Sequence, residues 1–377
     1  MLTMTGSEEL PQNDIRVNNG LKCYNVSCEW DKTTYMKLLE LGEFGLIELI
    51  DKITGEFRNL EHASWRQLLI GIGDDAAAWQ SGDCIQLATM DTLVQDVHFD
   101  LNIITWEELG WKALAVNLSD IGAMGGVPQY VLVSLASPGD IEVENISKFI
   151  RSMAHLAREF SVTLAGGNLS TAPNIVITVT ALGCSKGEAI LKRSAAIPGE
   201  QIAVTGYLGL SAAGLKMLKE KISFTAETSD VLRHGHLQPV PKVREGQILV
   251  EQGVRVAIDI SDGLIADLDH ICEASKVSAR IELEQLPIHP LVKTNFSNYQ
   301  ELALYGGEDY ELLFTADKAI MGRLSQVLNC PITIIGEVVE ETPSNRVTLL
   351  DSKGDVVPYK KKGWEHFRDE VRKVEIT

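Results

Sequence analysis

Acidic residues recur in this sequence at the points where apolar runs end. They stand in the segments "GIGDDAAAW", "ATMDTLVQDVHF", "VNLSD", "AIDISDGLIADL" and "LYGGEDYELLF". The acids are Asp74, Asp75, Asp91, Asp120, Asp259, Asp262, Glu308 and Asp309. One aspartate in such a place is typical of a helix cap or a turn. Five such segments together favour a cluster of carboxylates, which would repel one another unless cations were present.

Magnesium is the cation that such a cluster predicts. Hard cations prefer carboxylate and water oxygens, and Mg²⁺ usually binds alongside substrate phosphates. The pairs Gly166-Gly167 and Gly306-Gly307 would let backbone N–H groups approach an anion closely, although each pair is equally compatible with a tight turn. Arg193, in "LKRSAAIPG", could steer a phosphate or be a solvated linker charge.

Two common catalytic patterns are absent from the sequence. It has no G-x-x-x-x-G-K-[ST] phosphate loop and no G-x-S-x-G nucleophile elbow. The residues by themselves therefore favour a Mg²⁺-dependent enzyme that acts on phosphates, and they do not say which one.

The pattern of apolar residues predicts helices and strands mixed through both halves. A helix is expected in "LLELGEFGLIELIDKI", and another in "TWEELGWKALAVNLSDIGAMGG", where Thr105 can cap and Glu108 follows three residues later. Strands are expected in "WRQLLIG", "GDCIQLATMDTLV", "QYVLVSLASP" and, in the second half, "RVAIDISDG" and "ELALYGGEDYELLFTA". The polar, Pro-Gly-punctuated stretch "SKGEAILKRSAAIPGEQ" predicts a domain boundary. The sequence therefore predicts two α/β or α+β domains, and the length of 377 residues favours the same number.

Charge and cysteine content restrict the class of protein further. The formal net charge of −18 disfavours nucleic acid and anionic membranes as partners. The six cysteines are mostly far apart, and only Cys23 and Cys28 are close, with no His or second Cys pair to complete a zinc pattern, which fits reduced thiols in a cytoplasmic protein. The beginning "MLTMTGSEEL" does not resemble a signal peptide, and no apolar run approaches the ~20 residues that cross a bilayer.

The motifs taken in order resemble the thiamine-monophosphate kinase family, of the superfamily that includes aminoimidazole ribonucleotide synthetase and selenophosphate synthetase. The resemblance rests on "GEFGLIELI", "GIGDDAA", "DTLVQDVHF", "WKALAVNLSDIGAMGG", "VTGYLGLSAAGL", "AIDISDGLIADLDHI", "YGGEDYELLF" and "GWEHF", from about residue 42 to 367. It implies that ATP passes its γ-phosphoryl group to thiamine monophosphate, with several Mg²⁺ ions and no covalent phosphoenzyme.

The resemblance also implies a two-domain, aminoimidazole ribonucleotide synthetase-like fold. An extension would occupy residues 1–36. An N-terminal domain, 37–186, would pair its sheet with that of a second copy in a homodimer. A C-terminal α+β domain, 187–377, would close a cleft that holds the active site.

Individual site residues follow from the same resemblance. Residues expected to hold the metals are Asp75, Thr89, Met90, Asp91, Asp120, Asn168, Asp259 and Asp262. Gly167, Asn168, Arg193 and Ser261 are expected at ATP. His98, Glu308 and Trp364 are expected at the thiamine end, where an aromatic ring suits a cationic thiazolium.

The chain departs from the family pattern at several positions. "GGNLSTAP" carries Asn168 where an acid is usual and Thr171 where arginine is common, and Gln238 and Lys242 stand where relatives often have arginine. These departures leave open a catalytically weakened, nucleotide-binding relative. Another ATP-using enzyme of the superfamily is a second alternative, although Cys23 and Cys28 fit poorly as the reactive cysteine of a selenophosphate synthetase.

Overall fold

A computed structural model describes residues 37–342, 345–359 and 366–367. The predicted extension of residues 1–36 and the predicted substrate contact Trp364 lie outside the described residues. Within them, no helix is both long and apolar enough to cross a membrane. The cytoplasmic location stays a prediction.

The first half of the chain builds a six-stranded sheet and four helices. Its helices are α1 (Leu38–Glu56), α2 (Ala63–Gln67), α3 (Trp106–Ala123) and α4 (Val143–Glu159). Its strands are β1 (Leu68–Ile70), β2 (Ala77–Ser81), β3 (Cys84–Val94), β4 (Val127–Ser137), β5 (Thr163–Thr171) and β6 (Val176–Cys184). The strand order is β1-β2-β3-β6-β4-β5, so β5 is an edge strand. Helix α3 packs on β3, β4 and β6 and against α4.

The second half builds a seven-stranded sheet of its own. Its helices are α5 (Leu210–Glu220), α6 (Ala226–Leu237), α7 (Val243–Glu251), α8 (Leu264–Ser275), α9 (Pro290–Asn295), α10 (Tyr299–Tyr305) and α11 (Lys318–Val327). Its strands are β7 (Gln201–Thr205), β8 (Val256–Asp259), β9 (Ser278–Glu282), β10 (Leu312–Ala316), β11 (Ile332–Val339), β12 (Val347–Leu350) and β13 (Val356–Val357). The order is β13-β12-β9-β11-β7-β10-β8, and only the pair β12–β9 is parallel.

The structure confirms the predicted fold class, with corrections at two predicted strands. In "WRQLLIG", residues 65–67 belong to α2 and only Leu68–Ile70 form β1. The segment "ELALYGGEDYELLFTA" is not one extended strand: its first residues belong to α10, and only Leu312–Ala316 form β10. Helix α10 packs against α5 and α8, which are distant in sequence, so local pattern could not reveal it. The exact domain boundaries stay predictions.

Helix α3 connects the two halves. Its predicted cap is present: the Thr105 hydroxyl accepts from the Glu108 N–H at 3.2 Å, and the Glu108 carboxylate accepts from the Thr105 N–H at 2.8 Å. The same Glu108 carboxylate receives two hydrogen bonds of 2.6 Å from Arg233 on α6. Near its other end, the carbonyl oxygen of Gly122 lies against Gly246 of α7, where an added Cβ would come within 1.9 Å. Both ends of α3 are therefore held by the second half.

Close packing of α3 on α4 gives a stability prediction. A Cβ at Gly110 would lie 2.1 Å from the Phe149 carbonyl oxygen, so Gly110→Ala should destabilise the protein by about 2 kcal/mol, as overpacking does. Gly322 is also helical but has open space around it, so Gly322→Ala should stabilise by about 0.5–1 kcal/mol. Urea unfolding of both variants checks the opposite signs. Equal effects would contradict the close helix contact.

Candidate active site

Carboxylates from both halves converge where the two sheets meet. Asp91 lies on β3, Asp120 on α3, Asp259 at the end of β8, and Asp75 in the loop between β1 and β2. Burial, followed by repulsion from Asp91, Asp259 and Asp75, raises the pKa of Asp120 well above its usual range. Burial and then Asp75 raise the pKa of Asp259 to about 8, and burial raises that of Asp91 to about 6. These four acids therefore share one buried cluster.

Neighbouring polar side chains fix the orientation of these acids. The Thr89 hydroxyl donates to Asp120 Oδ2 at 2.6 Å, and the Ser119 hydroxyl donates to Asp259 Oδ2 across the two halves. The Asp91 N–H donates to Asn117 Oδ1 at 3.0 Å. Sequence reasoning missed Asn117 and Ser119. Their signal was the placement of polar residues inside the apolar helix segment "LAVNLSD".

Arg193 contacts the cluster from the linker between the sheets. Its Nε donates to Asp75 Oδ1 at 3.1 Å, its Nη2 donates to the same oxygen, and its backbone N–H donates to Asp74 Oδ2 at 3.2 Å. Within the described residues, Asp75 Oδ2 is buried and has no hydrogen-bond partner. A buried carboxylate oxygen without a donor is unfavourable unless a cation completes it. The site thus fits a hard divalent cation.

A second acidic group lies beside the first. Oxygen and nitrogen atoms of Asp262, Asp267 and His270 lie within 4.8 Å of one another. Burial, followed by Glu43 of α1, raises the pKa of Asp262 to about 6. Asp267 Oδ2 accepts from the N–H groups of Asp262 and Gly263, at 3.2 and 3.1 Å, and so orders the turn before α8. The sequence interpretation had not included Asp267 or His270.

Glu308 and His98 lie together at the other side of the cleft. Glu308 has a left-handed backbone, with φ of 65°, and its carboxylate contacts Lys112 at 2.8 Å and His236 at 3.4 Å. His98 Nδ1 accepts from the Val94 N–H at 2.9 Å, and its Nε2 is 3.3 Å from His366 Nε2. Sequence reasoning did not single out Lys112, His236 or His366.

Asp309, in contrast, is a structural cap. Its carboxylate accepts from the N–H groups of Gly209 and Ser211, at 2.7 and 3.1 Å, and so satisfies the start of α5. Ser261 joins the site through its backbone, because its carbonyl oxygen accepts from the Glu308 N–H at 2.8 Å. A Cβ at Gly307 would come within 2.2 Å of that oxygen, so this turn requires glycine.

Within one chain, Gly167 and Asn168 are separated from the acid cluster. Asp91, Val179, Val133 and Gly167 form one row across β3, β6, β4 and β5. Three strand spacings put about 14 Å between the first and the last of them. Gly167 and Asn168 are both exposed on the edge strand. The expectation that Gly167 and Asn168 bind ATP and a metal ion therefore stays a prediction. Within a single chain, the two residues lie too far from the acid cluster to meet it.

Both halves of the chain belong to the class of AIR synthase related proteins. The model for the N-terminal domain of that class matches residues 73–185, and the model for its C-terminal domain matches residues 198–347.

The chain belongs to the thiamine-monophosphate kinase family. It is 40% identical over 336 residues to the thiamine-monophosphate kinase of Bacillus subtilis, covering 87% of this chain and all of that protein. A solved structure described as AaThiL complexed with AMPPCP and TMP matches with a TM-score of 0.75 at 35% identity, covering 88% and 99% of the two chains. The thiamine monophosphate kinase of Aquifex aeolicus matches with a TM-score of 0.71 at 33% identity, covering 85% and 99%.

The raised pKa values predict how stability depends on pH. Asp259 titrates at about 8 and Asp91 at about 6 in the folded protein, against 3.8 when unfolded. The folded state therefore binds more protons than the unfolded state between about pH 4 and 8, so stability should fall as pH rises through that window. Each group contributes up to about 1.4 kcal/mol per pH unit.

Thermal melts in EDTA from pH 5 to 8.5 check this prediction. Tm should decrease with pH, and Asp259→Asn should flatten the upper part of the curve. A Tm that does not change with pH would mean that these carboxylates are already ionised and solvated in the cleft.

Proposed function

We propose that this protein transfers the γ-phosphoryl group of ATP to the phosphate of thiamine monophosphate, giving thiamine diphosphate and ADP. The observation that carries the proposal is the convergence of Asp75, Asp91, Asp120 and Asp259 in one buried cluster, in a chain of the thiamine-monophosphate kinase family. The similar structure described with AMPPCP, an ATP analogue, and TMP supports both substrates.

We assign the metal sites to the acid cluster. Asp75, Asp91, Asp120, Asp259 and Asp262 would hold several Mg²⁺ ions, with the main chain of Thr89 and Met90 contributing beside Asp91. When bound, the ions would neutralise the charge of two phosphates that otherwise repel each other. Thr89 and Ser119 hold two of these carboxylates in fixed orientation, which lowers the cost of assembling the site.

The remaining residues would position the substrates. Arg193 is the cation at the cluster and would contact the triphosphate, with Ser261 nearby. Glu308 and His98 would line the thiamine end, joined by Trp364. No side chain has to form a covalent intermediate, because phosphoryl transfer depends mainly on alignment and charge neutralisation.

We further propose a homodimer formed through the open face of the first sheet. On that face the side chains of Met90, Tyr130 and Leu132 are 62%, 50% and 42% exposed, although they belong to central strands. Covering this apolar surface favours association. Pairing of two sheets would also bring the exposed edge strand β5 of one copy towards the cleft of the other. Gly167 and Asn168 would then reach the ATP and metal site from the second copy.

The activity is tested by ADP release. The purified protein with ATP and Mg²⁺ should release ADP only when thiamine monophosphate is present, and thiamine diphosphate should form in equal amount. EDTA should abolish the reaction and added Mg²⁺ should restore it. ADP release without thiamine monophosphate would favour a different ATP-using enzyme, and ATP binding without turnover would favour a weakened relative.

The dimer is tested by placing a charge on the open face. Leu132→Glu should produce a monomer in analytical ultracentrifugation, because a carboxylate would be buried in the interface. Val143→Glu is the matched control: Val143 is 80% exposed on α4, away from the open face, and that variant should remain dimeric. If Leu132→Glu remains dimeric, the two copies associate through another surface.

A further inference from the structure

Lys112 is the largest fully buried side chain of the described residues. It lies on α3 with 2% of its surface exposed, inside a helix whose neighbouring residues are apolar. Its ammonium group is 2.8 Å from Glu308 Oε1. A buried ammonium is costly unless it is paired, and removing one partner of such a pair leaves the other charge uncompensated. The position of Lys112 therefore depends on Glu308, and that of Glu308 on Lys112.

The two histidines near Glu308 do not supply this charge. Burial lowers the pKa of His236 to about 3, so its ring is neutral at neutral pH. Its Nδ1 lies 3.0 Å from the Ser211 hydroxyl, which holds the ring in place. Burial, with His366 second, also lowers the pKa of His98. Among the described basic groups, the Lys112 ammonium lies nearest to the Glu308 carboxylate, at 2.8 Å against 3.4 Å for His236 Nδ1.

The ion pair stabilises the charged form of the Glu308 carboxylate, in addition to any effect on the surrounding fold. Burial by itself raises the pKa of Glu308, but the neighbouring basic groups, Lys112 foremost, outweigh it and keep that pKa below its usual range. The Glu308 side chain is still 31% exposed, so one side of its carboxylate is open to the cleft. A charge-balanced carboxylate of this kind offers acceptor oxygens in a fixed direction, as a site for N–H donors requires.

We infer that Lys112 is a positioning residue for the thiamine half of the substrate, which acts by holding the Glu308 carboxylate towards the donor groups of the aminopyrimidine ring. This inference rests on the proposed function. Lys112 comes from α3 in the first half of the chain, and Glu308 comes from the loop before β10 in the second half. The pair therefore connects the two walls of the cleft at its thiamine end.

The test replaces the charge but keeps the length of the side chain. Lys112→Met should raise KM for thiamine monophosphate about tenfold, the effect of losing one well-placed charged hydrogen bond. KM for ATP should change less than about twofold, because in the described residues the Lys112 ammonium pairs with Glu308 and not with the acids or with Arg193 proposed at the triphosphate. Lys112→Arg, which keeps the charge, should bring KM for thiamine monophosphate back towards the wild-type value.

Lys242→Met is the matched control. Lys242 is also a largely buried lysine in an ion pair, at 3.1 Å from Glu311, but neither residue contacts Glu308 in the described structure. Its loss should lower Tm and leave both KM values near wild type. An equal rise in KM for thiamine monophosphate in both lysine variants would mean that Lys112 is only structural, and would overturn the inference.

A double-mutant cycle shows whether Lys112 acts through Glu308. On the Glu308→Gln background, Lys112→Met should add less than about twofold to KM for thiamine monophosphate, since the carboxylate that it holds is already gone. Fully additive effects would overturn the inference. If Lys112→Met does not fold, the variants Lys112→Arg and Glu308→Gln decide. Loss of thiamine monophosphate binding in Glu308→Gln, with binding retained in Lys112→Arg, supports the inference. Absence of thiamine-monophosphate-dependent ADP release in the wild type would instead reject the proposed function.

Discussion

Repulsion among buried carboxylates is the constraint on which this structure depends. Asp75, Asp91, Asp120 and Asp259 come from both halves of the chain. Burial raises the pKa of each carboxyl group, and repulsion from neighbouring acids raises those of Asp120 and Asp259 further. Arg193 offsets only part of this repulsion, and one oxygen of Asp75 has no donor within the described residues. A fold that keeps these acids together favours the binding of cations. Bound metal ions would in turn favour the binding of anionic substrates.

Helix α3 is the element that makes this arrangement possible. Its last turns carry Asn117, Ser119 and Asp120. The side chains of these residues form hydrogen bonds with residues of both sheets. Its middle carries Lys112, whose partner Glu308 belongs to the second half. Because α3 is held at both ends by α6 and α7, the acid cluster and the Lys112–Glu308 pair, which we propose bind the phosphates and the thiamine, share one support.

The position of the exposed strand β5 motivates the proposal that two copies share the site. Gly167 and Asn168 lie about 14 Å from Asp91 across the sheet, a distance that no side chain of their size can bridge. The apolar open face of the same sheet offers a surface for a second copy. Under this proposal, association and assembly of the ATP site are one event, and the neutral Asn168 would contribute an oxygen without adding to the repulsion.

The sequence by itself determined the local features of this protein. Periodicity and capping residues predicted α1 and α3, including the Thr105–Glu108 cap, because these depend on neighbours three and four residues apart. Acids at the ends of apolar runs predicted a cation-binding cluster, since the type of ligand is a property of the side chains themselves. The motifs, through their resemblance to a known family, also predicted that Glu308 and His98 lie at the thiamine end of the site, and this stays a prediction.

Only the tertiary structure decided which acids meet and what pairs with them. Asp309 follows Glu308 directly in sequence, yet it caps α5, whereas Glu308 forms an ion pair with Lys112. Helix α10 was mistaken for a strand because its partners α5 and α8 are distant in the chain. Ser119 pairs with Asp259 across 140 residues, a contact that no local pattern encodes. Burial and proximity set these pairings, and both arise only when the two sheets close on α3.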